Sequence, residues 1–112
     1  MTAEQLLLDL DKLRERFDND TELLSEIFAV FTSEAPGRRR GMEAALAAGD
    51  LANLAGMAHS LKGVAATMFA EPLRQAAYTL ELAARAGDAQ AVAATLPVVL
   101  ERLDAAVACL PG

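Results

Sequence analysis

The 112 residues include a single cysteine, Cys109, and a single histidine, His59. A lone cysteine cannot close a disulfide within the chain, and one Cys with one His cannot build a structural metal cluster, so no metal is expected. Cys109 lies among apolar residues, as an inert buried thiol does. Tryptophan is absent and aromatics make up 4%. Alternating Val/Ile/Thr runs and Asn-Gly or Asp-Gly turns are also missing, so strands are not expected. No apolar run reaches about 18 residues without a charge, which speaks against a membrane span. The opening MTAEQLLLDLDKL is acidic and has no long apolar stretch, unlike a secretory signal, so a cytoplasmic protein is expected. Positive charge is scarce: 10 Lys and Arg stand against 16 Asp and Glu, a net charge of −6. Such a chain gains nothing from counterion release, so nucleic acid is not an expected partner. Arg38-Arg39-Arg40, the longest basic run, reads as a solvated helix face. No Gly-rich phosphate loop, Walker pattern or convergent carboxylate pair is present, which argues against an enzyme with its own active site.

What remains is helix. Hydrophobic residues reach 54%, much of it alanine and leucine. With Glu, Arg and Gln these are the better helix formers. The length suits one domain spanning residues 1–112. Thr2 and Gln5 form a capping box, opening a first short segment with an apolar stripe of Leu6, Leu10, Leu13 and Phe17. Asp20 or Thr21 caps a second helix carrying Leu23, Leu24, Ile27, Phe28 and Phe31, which Pro36-Gly37 interrupts or kinks. Gly49 ends that run and Asp50 caps the next, over about 51–68. Glu71-Pro72 begins another, striped with Leu73, Ala76, Ala77, Leu80 and Ala84. Gly87 ends it and Asp88 caps the last, in which Pro97 predicts a kink around Ala93–Thr95. Short connections make sequential helices antiparallel neighbours. The expected fold is an all-α, antiparallel up-down four-helix bundle with extra N-terminal helical segments, monomeric.

The segment 51–68 carries the chemistry. At about 100° per residue, Leu54, Met57, Leu61, Val64 and Met68 gather on one side and face the core. His59 falls on the other side, among Ala52, Ala55, Gly56, Lys62, Gly63 and Ala66. An idle solvent face normally carries Glu, Lys, Gln and Arg; this one carries alanine and glycine around one imidazole. Two glycines inside a helix cost about 1 kcal/mol each against alanine. A face without large side chains lets another backbone come close to the ring. Ala52, Ala55, Gly56, Gly63 and Ala66 are therefore candidate partner contacts. Lys62, one turn on, can reach a group attached to the imidazole, disfavours the imidazolium, and can pair with a dianion. Tyr78, Glu81 and Arg85 share a stripe on the following helix; a rim near His59 and a plain exposed face are equally good readings of it, with Arg85 a candidate to assist.

His59-Ser60-Leu61-Lys62-Gly63 resembles the HxLKG signature of histidine-containing phosphotransfer (HPt) domains of bacterial phosphorelays. Asp9, Phe17, Asp20, Glu22-Leu23-Leu24, Phe31 and Gly49-Asp50 are similar to the family's pattern before that signature. Leu73, Leu80-Glu81 and Arg85-Ala86-Gly87-Asp88 are similar to the pattern after it. The resemblance runs from about Asp9 to Leu103. It implies that His59 is the phospho-acceptor, Lys62 its supporting lysine and Gly63 the close-approach glycine. It implies response-regulator receiver domains as partners, with a sensor histidine kinase as a further one, and no resident cofactor, Mg²⁺ being supplied by the receiver. The sequence departs from the family at Val64, where a small polar residue is usual, and at Ala66 and Phe69, where glycines are usual. Two other readings share these residues: a receiver-binding adaptor that takes no phosphate, and an HPt domain cut from a larger histidine kinase.

Overall fold

Short polar side chains set where most of the helices begin. In a computed structural model, which describes residues 2–111, Thr2 and Gln5 close a capping box on α1 (Ala3–Leu7). Asp9, Asp20, Asp50 and Asp88 accept from backbone N–H groups at the starts of α2 (Leu10–Arg16), α3 (Thr21–Ala47), α4 (Leu51–Thr67) and α6 (Ala89–Ala108). Each cap satisfies a donor that the first turn leaves without a partner. The remaining helix, α5 (Glu71–Arg85), has no side-chain cap and instead places Pro72 in its first turn, where the missing N–H is no loss.

Three helix-to-helix turns share one geometry. Gly49, Phe69 and Gly87 each have positive φ, at 68°, 53° and 68°. In each turn the next residue donates back into the helix it leaves: Asp50 to Ala45, Ala70 to Ala65, Asp88 to Ala83. This is the left-handed C-terminal stop that glycine adopts without a Cβ penalty. Phe69 occupies it with a large side chain. The Asp9 N–H donates to the Phe69 carbonyl at 3.0 Å, tying the α1–α2 junction to this turn.

Helices α3 to α6 follow one another through these short turns as an antiparallel up-down bundle, and α3 also packs on α6, closing the ring. No strand occurs among the described residues. Leu54, Leu61, Leu73, Leu80, Val92, Val99 and Leu103 are fully buried between the four helices. Burying such a side chain contributes about 1.5–3 kcal/mol. The N-terminal stripe is split in two: helix stops at Leu7, Asp9 caps the restart, Leu8 and Leu13 are buried and Leu6 stays exposed.

Neither internal proline ends its helix. α3 runs through Pro36 and α6 through Pro97. The carbonyls that lose a donor belong to Thr32 and Ala93, both at exposed positions where water can serve them. The basic run is not the freely solvated face expected of it. Arg39 pairs with Asp104 of α6, and Arg38 pairs with Glu34 at 3.2 Å and donates to Ser60 of α4 at 3.3 Å. Among the described residues no helix is long and apolar enough to cross a membrane.

Candidate functional site

The buried arc of α4 consists of Leu54, Ala55, Ala58, Leu61 and Ala65, while Met57 and Val64 are only half-buried. Compared with an arc centred on the large apolar residues, the helix is rotated by roughly 60°. The cause is α5, which packs on α4 more extensively than any other pair of helices. Both helices bury alanines, Ala55, Ala58 and Ala65 on one and Ala76, Ala77 and Ala84 on the other. Small side chains let the axes approach, and the contact draws alanine flanks inward that large-residue periodicity assigns to solvent. Ala55 is therefore a correction: it lies in the core, 4% exposed, and cannot belong to a docking face. Ala52, Gly56, Gly63 and Ala66 are exposed.

The rotation also moves His59 from the far side of α4 to its border with α5. Its side chain is 61% exposed, and its Nδ1 lies 3.0 Å from Oε2 of Glu81. Glu81 itself is buried, its side chain 6% exposed. Lys62 Nζ lies 2.7 Å from the other oxygen, Oε1. Arg85 donates to Oε2 through Nε at 3.0 Å and Nη2 at 2.8 Å. The Lys62 ammonium also sits over the Tyr78 ring, 4.9 Å from its centroid. One carboxylate thus gathers the imidazole and two cations.

A buried carboxylate is normally raised in pKa, yet Glu81 is lowered to about 2. The Lys62 ammonium is the largest cause and the Arg85 guanidinium the next; together they outweigh desolvation, and the hydrogen bond with His59 adds to them. Glu81 is therefore ionised and can only accept. The hydrogen of the 3.0 Å contact must belong to Nδ1, and Nε2 makes no hydrogen bond within the described residues. Two cations against one carboxylate leave a positive surplus beside the exposed ring.

Glu81 is the residue that sequence reasoning undervalued. It stood on the right stripe, with Tyr78 and Arg85, but nothing in that stripe distinguishes a buried carboxylate from an exposed one. The signal lies in combination: a glutamate with Arg at i+4 opposite a helix bearing His and Lys at i and i+3. Cys109 is half-buried and burial pushes its thiol up, which keeps it protonated and unreactive.

The flank away from α5 is apolar. Leu23, Ile27 and Val30 of α3 and Gly63, Val64 and Thr67 of α4 line an open groove that reaches His59. Leu23 and Val30 are exposed.

A family model described as Hpt domain matches residues 26–109, which include every member of the Glu81 cluster. The chain belongs to the Hpt domain family. Hpt domains are histidine phosphotransfer modules of phosphorelays, carriers of a phosphohistidine instead of conventional enzymes, and they engage response-regulator receiver domains. No curated protein and no solved structure gives a significant match to the chain. The Hpt match covers α4, α5 and α6 in full with most of α3, and the residues that precede it, Thr2 to Ser25, contribute α1, α2 and the first turn of α3.

Proposed function

We propose that this Hpt domain carries a phosphoryl group on His59 and exchanges it with the aspartyl phosphate of receiver domains. The observation that carries the reading is the imidazole itself: exposed, anchored at Nδ1, and surrounded on α4 by Ala52, Gly56, Gly63 and Ala66. A partner backbone can approach such a ring to in-line attack distance without meeting a long side chain. The free nitrogen attacks phosphorus, and the acyl phosphate bond breaks with its electron pair leaving on the receiver's carboxylate. Lys62, one turn from His59 on α4, and Arg85, which shares Glu81 Oε2 with the ring, are the cations to pair with the phosphoryl oxygens. Mg²⁺ belongs to the receiver, and transition-state stabilisation comes mainly from that side. Both phosphohistidine and aspartyl phosphate are high-energy, so flow runs in either direction. The whole chain acts as one monomeric cytoplasmic domain in this reading.

Incubation with a phosphorylated receiver tests it. The expected product is an acid-labile, base-stable phosphate on this chain, absent from a His59→Gln variant of unchanged fold. Stable binding to receivers without any transfer would replace the carrier with an adaptor.

A further inference from the structure

From the ring that faces Lys62 we infer that Tyr78 is a positioning residue, which holds the Lys62 ammonium beside Glu81 and so keeps it in place for the phosphoryl group on His59. The inference deepens the carrier reading and rests on it for the reaction, though not for the position of the ammonium.

Tyr78 is the chain's only tyrosine, and on α5 it is 45% exposed. A single exposed aromatic needs no explanation by itself. Here its neighbour supplies one. The Lys62 ammonium reaches across from α4 and sits over the ring, 4.9 Å from the centroid, while Nζ lies 2.7 Å from Glu81 Oε1. Tyr78 and Glu81 are three residues apart, so ring and carboxylate share one face of α5 and the ammonium meets both.

A lysine ammonium stands on a flexible four-carbon stem, and one free in water samples many positions. The carboxylate and the ring together remove that freedom before a partner arrives. A group already in place loses little more when the phosphoryl oxygens reach it, which is the value of preorganisation. The two contacts differ in what they do to those oxygens. A carboxylate attracts the ammonium but repels an incoming anion. The face of a neutral ring attracts a cation through its quadrupole and brings no net charge. The positive surplus that Lys62 and Arg85 leave beside one carboxylate therefore stays available to the phosphoryl group. An ammonium has three N–H donors, so Lys62 can keep Oε1 and still donate to a phosphoryl oxygen. The contact uses the ring face and not the hydroxyl, so phenylalanine should serve in place of tyrosine and leucine should not.

The test has two readouts on the full chain. The first is the ¹H–¹³C spectrum of the Lys62 Cε methylene, with no phosphate present. Protons held over an aromatic face shift upfield. The chain has one other lysine, the exposed Lys12, as a reference. The Lys62 methylene should lie upfield of it in wild type and in Tyr78→Phe, and should move toward it in Tyr78→Leu. The second readout is the initial rate of transfer from a phosphorylated receiver, in a double-mutant cycle with Lys62→Ala. Tyr78→Leu should slow transfer about threefold or more, Tyr78→Phe should restore it, and Tyr78→Leu should add nothing to the residual rate of Lys62→Ala. Tyr78→Gln, a helix former suited to an exposed site, takes the place of Tyr78→Leu if that variant does not fold.

An unshifted wild-type methylene overturns the proposal. So does a Tyr78→Leu variant that transfers at the wild-type rate, or a Tyr78→Phe variant as slow as Tyr78→Leu. Equal slowing with and without Lys62 overturns it too, since the ring would then act on the partner directly. A shifted methylene in a chain that takes no phosphate from receivers would uphold the position of the ammonium and refute the carrier reading, so the two failures are distinct.

Discussion

His59 and Leu61 lie two positions apart on α4, yet one ring is largely in water and the other side chain is fully buried. Their substitutions should therefore separate chemistry from stability. His59→Gln should abolish labelling by a phosphorylated receiver while urea denaturation stays within about 0.5 kcal/mol of wild type, as for most surface changes. Leu61→Ala should lower stability by about 2–5 kcal/mol, because the core cannot close over the missing atoms. The fraction of that variant that remains folded should still accept phosphate. A harmless Leu61→Ala, or a His59→Gln that unfolds, would put the wrong side of α4 in the core. Alanine is where the sequence misleads at this scale. Ala52 and Ala55 are the same residue type on one helix, and only packing against α5 sends one to solvent and the other inside.

Along the helices, a glycine has opposite value inside an element and at its end. Gly63 lies within α4, and a Cβ built there meets nothing within 4 Å. Gly87 ends α5 at φ 68°. Gly63→Ala should raise stability by about 1 kcal/mol, and Gly87→Ala should lower it by about the same amount or more. Thermal melts of the two variants check the pair; shifts of the same sign would contradict the assignment. Gly63→Glu should also keep or gain stability while blocking transfer, since the long side chain occupies the bare face beside the ring. The helix boundaries were legible because they rest on local chemistry: Asp20, Asp50 and Asp88 as caps, Gly49 and Gly87 as stops. Phe69 has no such local signature. It takes the left-handed position with a side chain that normally avoids it, held by the turn's own hydrogen bonds and by the tie from Asp9. Of the two readings of Pro36-Gly37, interruption is the one the helix excludes, since α3 runs through Pro36 as α6 runs through Pro97, and the cost of a missing N–H depends on whether water reaches the orphaned carbonyl, which periodicity does not report. The His59–Lys62–Gly63 motif stood out in the sequence. Its link to Glu81 did not, because rotation of one helix against another is settled by the packing of both.

For the molecule as a whole, the Glu81 cluster ties the site to folding. Glu81 titrates near 2 in the folded chain, against an ordinary value of 4.5. Between those values the folded protein keeps the carboxylate ionised while the unfolded chain takes up a proton, so acid favours unfolding. The contribution is complete above about pH 4.5 and disappears as the pH falls toward 2. Glu71, lowered by Arg74, acts in the same direction, but it is exposed and adds little. Acid also removes the net negative charge and leaves the Lys and Arg residues unbalanced, so a falling stability alone does not identify Glu81. Comparison with Glu81→Gln does. The amide cannot ionise, so the variant should be less stable near neutrality, where it leaves Lys62 and Arg85 beside an uncharged group. Its deficit should then shrink through the window below about pH 4.5, and the two curves of denaturation midpoint against pH should converge near 2. Curves that stay parallel from pH 6 to 2 would mean that the carboxylate is not held ionised by its neighbours. The argument that Glu81 can only accept from Nδ1 would then lose its basis.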